Sequence, residues 1–387
     1  MPLAPVDSSR LVADRRDLHQ HPELGFAETR TAGIVSERLR ALGYDVRDGV
    51  GKTGVVAQRG NGTGRCVLLR ADMDALPVQE ANDVPYKSRH PGRMHACGHD
   101  GHVAIGLEVA RLLADAPGLS GPLAGTVKFA FQPAEEVNDG ALAMIADGVL
   151  TQPAVHAAFG LHLWNPLPTG KIGLMAGPIM AAVDVFEIRV LGRGGHAGHP
   201  HQTVDPVAIA AHVVTALQTV VSRRRDPFEP GLISVTQLRA GEAYNVIPDQ
   251  VMLRGTVRSY GGRFFDEVPR LVEETARGVC TTFGAGAEVD YRRLSGPVIN
   301  DREMTALMRE TAVKLVGAGN VIEGVRTMGG EDMAHFLAAV PGAFAFVGSG
   351  AGGRPGAPHH SPHFDIDEGA LAIGAELLAR TALRYLA

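Results

Sequence analysis

Between Val183 and Arg292 the sequence predicts six secondary-structure elements in the order β-α-β-β-α-β. The first strand, Val183–Val190, alternates apolar and polar residues, and a Gly-rich loop separates it from a long helix over Val204–Ser222. The remaining elements are strands at Leu232–Leu238 and Gln250–Val257, a helix near Phe264–Thr282 and a strand near Ala287–Arg292. This is the order of the ferredoxin-like split unit, which fits in about 110 residues. We therefore expect the segment to fold as a compact α+β domain.

Short apolar strands alternate with helices on both sides of this segment. Strands are predicted at Thr53–Gln58, Cys66–Ala71, Thr126–Gln132, Val155–Leu163 and Ala343–Val347, and helices at Ser8–His19, Phe26–Leu42, Gly98–Ala114, Ala141–Asp147 and Glu368–Tyr385. Asn300 and Glu303 form a capping pair for one more helix, which reaches Val316. Strands apolar enough to be buried on both faces indicate a central mixed β-sheet flanked by helices. We expect a two-domain α/β protein in which residues 1–182 and 294–387 form one discontinuous domain and residues 183–293 form the inserted domain.

The composition excludes several classes of protein. The 387 residues include 37 Lys and Arg against 42 Asp and Glu, a formal net charge of −5. This balance lacks the excess of basic residues that is typical of proteins that bind nucleic acid or an anionic membrane. The sequence starts with Met-Pro-Leu-Ala-Pro-Val-Asp, which lacks the basic and apolar regions of a secretion signal. The longest helix-like stretch without Asp, Glu, Lys or Arg runs from Pro206 to Val221, short of the roughly 20 apolar residues that span a bilayer. We therefore expect a water-soluble, cytoplasmic protein.

Histidine and cysteine are distributed in a way that indicates chemistry. Three cysteines are too few for a disulfide framework, and the 16 histidines fall largely into three clusters beside glycine and proline. One cluster, Met-His-Ala-Cys-Gly-His-Asp-Gly-His, places the Cys97 thiol and the His99 imidazole two residues apart, just before a predicted helix. Both side chains are ligands for metals such as zinc. The alternative is a cysteine nucleophile with a histidine partner.

Two adjacent carboxylates follow a buried strand, in Phe-Gln-Pro-Ala-Glu135-Glu136. Successive side chains point in different directions, so one carboxylate could bind a metal while the other takes a proton from an attacking water. Further ligand-type residues occur at other strand ends or loops, His162 and His360 among them. Ends of sheet strands are where α/β proteins place their ligands. A mechanism with Cys97 as the nucleophile would leave Glu135 and Glu136 without a role.

These motifs together resemble a known family. The sequence is similar, nearly end to end, to the metallopeptidases that include aminoacylase, glutamate carboxypeptidase and succinyl-diaminopimelate desuccinylase, and most of all to the branch of hippurate hydrolase and auxin-conjugate amidohydrolase. The motifs that carry the resemblance are Asp-Leu-His-Gln-His-Pro-Glu from Asp17, Leu-Arg-Ala-Asp-Met-Asp-Ala-Leu-Pro from Leu69, the Cys97 segment, the Glu135–Glu136 pair and Gly-Arg-Gly-Gly-His-Ala-Gly-His-Pro from Gly192.

The resemblance implies two divalent metal ions per subunit, Mn, Zn, Co or Ni. Cys97 is then the bridging ligand, where most of the wider family has Asp; His99 and His162 complete one site, and Glu136 and His360 complete the other. Glu135 is the implied general base, and Asp74 a carboxylate that supports the ligands. The wider family has a ligand histidine at the position of Asp72, so this departure leaves the roles of Asp72 and Asp74 open.

The inserted domain resembles the lid and dimerisation domain of the same family. A histidine at the position of His196 reaches into the partner subunit's site in relatives and stabilises the oxyanion. Asn245 and Arg258 match residues that contact the substrate, including its carboxylate. Gly198 replaces an alanine that is frequent in the family. The resemblance thus implies a homodimer, or an oligomer built from dimers.

The function implied is metal-dependent hydrolysis of the amide bond of N-acyl amino acids, hippurate-like, N-acetyl or related conjugates, to a carboxylate and a free amino acid. A dipeptidase, a carboxypeptidase or an N-acyl-diaminopimelate deacylase of the same family is an alternative that differs only in the substrate pocket. A metal-binding ligand receptor without catalysis is the alternative from another class. It would be favoured if Glu135 were absent, and Glu135 is present.

Overall fold

The computed structural model describes residues 3–60, 64–114 and 125–387. Met1 and Pro2, the first residues of the segment tested for a secretion signal, lie outside the described residues. The chain divides into two units, one of Met1–Ile179, Ile299–Arg326 and Asp332–Ala387, the other of Met180–Val298 and Thr327–Glu331. The roles predicted for them, catalysis for the first and lid or dimerisation for the second, stay predictions.

Helices and strands alternate along most of the described chain. The helices are α1 Ser8–Gln20, α2 Thr29–Ala41, α3 His99–Ala114, α4 Gly140–Ala146, α5 Pro206–Thr219, α6 Gly262–Thr282, α7 Arg302–Val316, α8 Met333–Ala339 and α9 Gly369–Leu386. The strands are β1 Asp45–Val50, β2 Gly54–Gly60, β3 Arg65–Asp72, β4 Gly125–Gln132, β5 Ala157–Pro168, β6 Ile172–Gly173, β7 Gly177–Met180, β8 Ala182–Leu191, β9 Gly195–His196, β10 Gly231–Ala240, β11 Val246–Ile247, β12 Gln250–Ser259, β13 Gly286–Ser295, β14 Val298–Asn300, β15 Val321–Ile322 and β16 Gly342–Gly350.

An eight-stranded mixed sheet forms the centre of the first unit, in the order β1-β2-β4-β3-β5-β16-β6-β15. The pairs β4–β3, β3–β5 and β5–β16 are parallel, whereas β1 and β2 pair antiparallel. Every residue of β4 and β16 is buried, as their apolar sequences predict. Helices α3 and α9 pack on the sheet and on each other. The expected mixed sheet flanked by helices is confirmed.

The second unit contains a four-stranded antiparallel sheet in the order β10-β12-β8-β13. Helices α5 and α6 pack on this sheet and on each other around an apolar core that includes Phe186, Val213 and Phe264. With β8, α5, β10, β12, α6 and β13 in chain order, this is the predicted β-α-β-β-α-β arrangement. Two short strands, β9 and β11, form a separate ribbon.

Two local predictions are wrong in detail. The cap of α7 is Asp301, whose carboxylate accepts hydrogen bonds from the amides of Glu303 and Met304. Asn300 instead bonds through its side chain to the backbone of Phe344, because it lies in β14 rather than at the helix start. Helix α2 begins at Thr29 rather than Phe26, since Phe26 has a φ of +62°, which a helix cannot contain.

Candidate metal centre and active site

Parallel pairing of β3 with β4 brings the two acidic motifs together. Asp72, the last residue of β3, lies opposite Gln132, the last residue of β4. The segments that continue past these ends therefore run side by side, and the backbone of the Glu135–Glu136 pair comes to lie beside Asp74. Carboxyl ends of parallel strands are the usual location of sites in sheets of this kind.

Asp74 connects these segments through hydrogen bonds. Its Oδ1 and Oδ2 accept from the backbone amides of Glu135 and Glu136, at 3.0 Å each. Its backbone oxygen accepts from Nδ1 of His99 at 2.9 Å. The Asp74 side chain is almost completely buried. One residue therefore fixes the backbone of both glutamates and the ring orientation of His99.

The first group of ligand atoms is formed by Cys97, His99 and His162, whose donor atoms all lie within 4.8 Å of one another. Sγ of Cys97 is 3.4 Å from Nε2 of His162. Cys97 and His99 flank the turn that begins α3, where Gly98 has a φ of +94°, a backbone conformation that side chains disfavour. His162 is brought to them by β5. All three side chains are buried.

The second group combines Cys97, Glu136 and His360, again with donor atoms within 4.8 Å. Nε2 of His360 is 3.3 Å from Oε2 of Glu136. The backbone amide of His360 donates to the oxygen of Ala96 at 2.8 Å, which ties this late part of the chain to the residue before Cys97. Cys97 is common to both groups.

Glu135 faces the same cluster. Its Oε2 lies 4.0 Å from Nε2 of His99, the same distance that separates His99 from Oε1 of Glu136. The structure thus brings together the six residues that the sequence predicts for metal binding and for the general base: Cys97, His99, Glu135, Glu136, His162 and His360. Their roles remain predictions.

The protein's own groups make this a site for positive charge. Burial disfavours a charged His99, yet the carboxylates of Asp72 and Asp74 raise its pKa to about 10. Its Nε2 is buried without a hydrogen-bond partner among the described residues. His162 donates through Nδ1 to the Leu163 oxygen at 2.8 Å, so its Nε2 presents a lone pair to Cys97. Burial, with His102 nearby, lowers the pKa of His162 and keeps that lone pair free of a proton.

A divalent cation would fit this donor set. Burial and the carboxylates of Glu136 and Glu135 raise the pKa of the Cys97 thiol well above its usual value. A nearby cation has the opposite effect, because it stabilises the thiolate. Sulfur, imidazole and carboxylate donors together suit zinc and related transition metals rather than calcium or magnesium.

Asp72 and His102 form a buried hydrogen-bonded pair beside His99. Oδ2 of Asp72 pairs with the Arg70 guanidinium at 2.8 Å, and Oδ1 is 2.5 Å from Nδ1 of His102. Nε2 of His102 accepts from the backbone amide of Leu163 at 2.9 Å. Both Asp72 oxygens thus have a protein partner, which favours a role in orienting His99, 3.4 Å away, over direct metal binding.

Sequence reasoning assigned no role to Arg70 or His102. Arg70 also bonds Gln132 and Asp332, at 2.9 and 3.0 Å, and so connects β3 with β4 and with the start of α8. His102 stands in the same cluster as His99, one helical turn away, and this spacing was an available signal. Nothing in the sequence pairs Arg70 with Asp332.

Aromatic rings pack against His162, one of the predicted ligands. The Trp164 ring meets it edge-on at 5.6 Å between centroids and stacks on His359 at 4.6 Å. His359 bonds through Nε2 to the Leu163 oxygen at 3.0 Å, and burial lowers its pKa to about 4. His359 is therefore a neutral support, while its neighbour His360 belongs to the ligand groups.

The residues predicted for the substrate lie in the second unit. His196 is in β9, which pairs with β11, and the Asn245 backbone oxygen accepts from the amide of Ala197 at 3.1 Å, so His196 and Asn245 share one ribbon. His196 is exposed and accepts through Nδ1 from the amide of Gly198. Arg258 lies in β12, and no hydrogen bond among the described residues joins it to the other two. Its buried Nη1 has no hydrogen-bond partner within that part of the chain.

No helix of the described residues is long and apolar enough to cross a membrane.

Comparisons with known proteins agree with this geometry. The family model "Peptidase family M20/M25/M40" matches residues 68–384. The chain is 38% identical over 381 residues to "IAA-amino acid hydrolase ILR1-like 4" of Arabidopsis thaliana, covering 97% of this chain and 86% of the relative. It is also 38% identical over 380 residues to "N-acetylcysteine deacetylase" of Bacillus subtilis, covering 98% and 97%. The crystal structure of Bacillus subtilis YXEP, described as a dinuclear metal binding peptidase, matches with a TM-score of 0.84 and 36% identity over 98% of each chain.

Proposed function

The chain belongs to peptidase family M20/M25/M40 and is a metal-dependent hydrolase of amide bonds, and from that premise we propose that its substrates are N-acyl amino acids. The products are a carboxylate and a free amino acid. The observation that carries this proposal is the adjacent pair Glu135 and Glu136. Asp74 binds the backbone amides of both residues, and the pair lies beside the group of ligand-type side chains around Cys97 and His99. The names of two relatives describe acyl groups on amino acids, which supports this substrate class over peptides.

Two divalent ions per subunit, Mn, Zn, Co or Ni, are part of the proposal. His99 and His162 would hold one ion and Glu136 and His360 the other, with Cys97 shared. Among the overlapping groups of ligand-type atoms that lie within 4.8 Å of one another, the two that contain Cys97 support this division. The relative described as dinuclear supports the number. Such ions polarise a carbonyl and lower the pKa of water.

Glu135 is the proposed general base. Its carboxylate would take a proton from the attacking water and deliver it to the leaving nitrogen, which must be protonated before it departs as an amine. The carboxylate is mostly buried and lies 4.0 Å from the ligand ring of His99, so it borders the reaction site. Because Asp74 fixes the amides of both glutamates, the two carboxylates keep separate positions.

His196, Asn245 and Arg258 are proposed to act on the substrate, in a homodimer where His196 serves the partner subunit's site. His196 would donate to the oxyanion that forms when water attacks. Arg258 is suited to a substrate carboxylate, since its buried Nη1 has no protein acceptor among the described residues. The exposed position of His196 on a two-residue strand leaves its ring accessible.

A substrate panel tests the proposal. Chelator-treated protein, reconstituted with each metal in turn, would be assayed on benzoyl, acetyl, succinyl and indoleacetyl amino acids and on unblocked dipeptides. We expect turnover of acylated amino acids, loss of turnover on metal removal and a kcat lowered by orders of magnitude in Glu135→Gln. Preference for unblocked dipeptides would favour a dipeptidase instead, and full activity of metal-free protein, confirmed by elemental analysis, would refute the proposal.

A further inference from the structure

Glu28 precedes α2, but its carboxylate does not cap that helix. Acidic residues at a helix start ordinarily accept from its first amides. At α2, Glu23 performs this task and accepts from the amides of Arg30 and Thr31 at 2.9 and 2.8 Å. Glu28 stands at the N-cap position without such a bond. Its side chain is therefore directed elsewhere.

The Glu28 carboxylate bonds to the turn that carries the general base. Oε1 accepts from the backbone amide of Ala134 at 2.8 Å, and Oε2 accepts from the Thr53 hydroxyl. Glu28 is 0% exposed, and burial raises the pKa of its carboxyl. A buried carboxylate is costly to desolvate, so a fold that retains one depends on the bonds it makes.

Ala134 has an unusual conformation for a residue with a Cβ. Its φ is +53°, in the left-handed region, and it stands between Pro133, the residue after β4, and Glu135. The turn is packed closely, since a Cβ on Gly25 would meet the Ala134 Cα at 3.1 Å. An alanine in this conformation reverts to a more favourable one unless its surroundings hold it there.

Three successive amides are bound by carboxylates in this turn. Glu28 accepts from Ala134, and Asp74 accepts from Glu135 and Glu136. Asp74 fixes the amides of the glutamates themselves, but the direction of the chain as it reaches them is set one residue earlier, at Ala134.

We propose that Glu28 is a positioning residue for the general base: it holds Ala134 in the left-handed conformation and so sets the direction in which the Glu135 side chain leaves the backbone. This rests on the role proposed above for Glu135. Among the described residues, the hydrogen bonds of the Glu28 carboxylate go to Ala134 and Thr53 and not to a proposed ligand. Its removal should therefore impair proton transfer more than metal binding.

Variants of Glu28, assayed as metal-loaded protein, test this. Glu28→Ala should lower kcat by about a hundredfold, the loss that a small misplacement of a catalytic group produces, with KM nearly unchanged. Its metal content by elemental analysis should equal that of the wild type. Glu28→Gln should retain most of kcat, because its amide oxygen can still accept from Ala134.

The decisive variant is the double substitution Glu28→Ala with Ala134→Gly. Glycine adopts positive φ without the cost of a Cβ, so the second substitution should restore part of the lost kcat. A role of Glu28 in packing alone would gain nothing from glycine at position 134. Thr53→Val is the matched control, because it removes the other bond to Glu28 and leaves the Ala134 bond; its kcat should stay close to that of the wild type.

Each result has a distinct meaning. Wild-type kcat in folded Glu28→Ala, or a loss that Ala134→Gly does not reduce, would overturn the proposal. If Glu28→Ala does not fold, Glu28→Asp replaces it, since the shorter side chain keeps the charge but cannot reach Ala134. Glu135→Gln is measured in parallel: full activity in that variant would refute the role of Glu135, whereas its inactivity beside unaffected Glu28 variants would refute only the positioning role.

Discussion

Sγ of Cys97 lies 3.4 Å from Nε2 of His162, although 65 positions separate the two residues. The other ring nitrogen of His162 donates to the Leu163 oxygen, so the thiol faces a lone pair and not a hydrogen. The thiol can donate its hydrogen to that lone pair, and a cation could take the place of this hydrogen between the two atoms. Cys97 also belongs to a second group of ligand-type atoms, with Glu136 and His360, which favours the proposed metal-binding role over attack on a carbonyl.

Replacement of Cys97 should separate metal binding from nucleophilic catalysis. Cys97→Ala is expected to lose metal, because the atom common to both ligand groups is removed, while Cys97→Asp should retain metal and part of kcat through a carboxylate bridge. Elemental analysis and the thiolate absorption of the cobalt-loaded protein measure this. Cys280→Ala, in the core of the second unit, is the control and should keep its full metal content. A trapped acyl-thioester at Cys97 would contradict the interpretation.

Glutamine at positions 135 and 136 should give different defects. Glu135→Gln should lower kcat by roughly 10²–10⁴-fold with its metal retained, since only the proton transfer is removed. Glu136→Gln should weaken metal binding by at least about tenfold, the smallest loss typical even of residues that merely support a ligand. Metal titrations and steady-state kinetics on both variants measure the difference. Equal loss of metal in both variants would contradict the assignment of Glu135 as the general base and Glu136 as the metal ligand.

Glu80 should make stability depend on pH. Burial opposes its ionisation, but His19, 3.3 Å away, and the amide of Ser88, at 2.7 Å, hold the pKa of the Glu80 carboxyl below its usual value. A carboxyl whose pKa is lower in the folded state stabilises the protein above its unfolded pKa of about 4.3, and this contribution disappears as the pH falls through the folded value.

Glu80→Gln should therefore cost about 1–3 kcal/mol of unfolding free energy at pH 7, and less as the pH falls below about 4. Denaturant unfolding over a pH series measures the difference from the wild type. Glu37→Gln, on the exposed side of α2, should change little at any pH. If the unfolding free energies of the wild type and Glu80→Gln differ by the same amount from pH 7 to pH 3, Glu80 stabilises the protein through its packing and not through its charge.

Mixed dimers test whether His196 acts across subunits. His196→Ala alone should lower kcat far more than it raises KM, because the oxyanion exists only after water attacks. Mixing inactive His196→Ala with inactive Glu135→Gln should restore activity, since half of the sites in a mixed dimer then contain both residues intact. The recovered rate after subunit exchange is the measurement. No recovery despite demonstrated exchange would place His196 in its own subunit's site, or in none.

The regular part of the fold follows from local sequence. Helix α3 was predicted over Gly98–Ala114 and runs over His99–Ala114, because an apolar stripe at helical spacing follows a glycine turn. Strand β1 was missed, since Asp45–Val50 is mostly exposed and lacks the apolar alternation by which strands are recognised. The cap of α7 lies one residue after the predicted one. Asn300 and Asp301 are both residue types that cap helices, and only the hydrogen bonds of the Asn300 side chain to the Phe344 backbone distinguish them.

The site was predictable in its residues and not in its connections. Cys97, His99 and the glutamate pair stand in short motifs whose chemistry is evident, His162 and His360 were singled out as ligand-type residues at strand ends or loops, and the resemblance adds a predicted role for each. The bonds of Asp72 to Arg70 and of Glu28 to Ala134 could not be predicted, because they depend on which strand ends meet and on a left-handed backbone conformation. The spacing of residues in the sequence indicates neither the pairing of the strand ends nor the backbone conformation of Ala134.

The sequence contains a single tryptophan, Trp164, and its ring meets the His162 ring edge-on. Tryptophan emission is sensitive to charge and quenching groups at such short range. The protein therefore carries its own optical reporter beside the proposed ligands: its intrinsic fluorescence can be followed during a titration, without a label and without turnover, with no second indole elsewhere in the chain to obscure the signal.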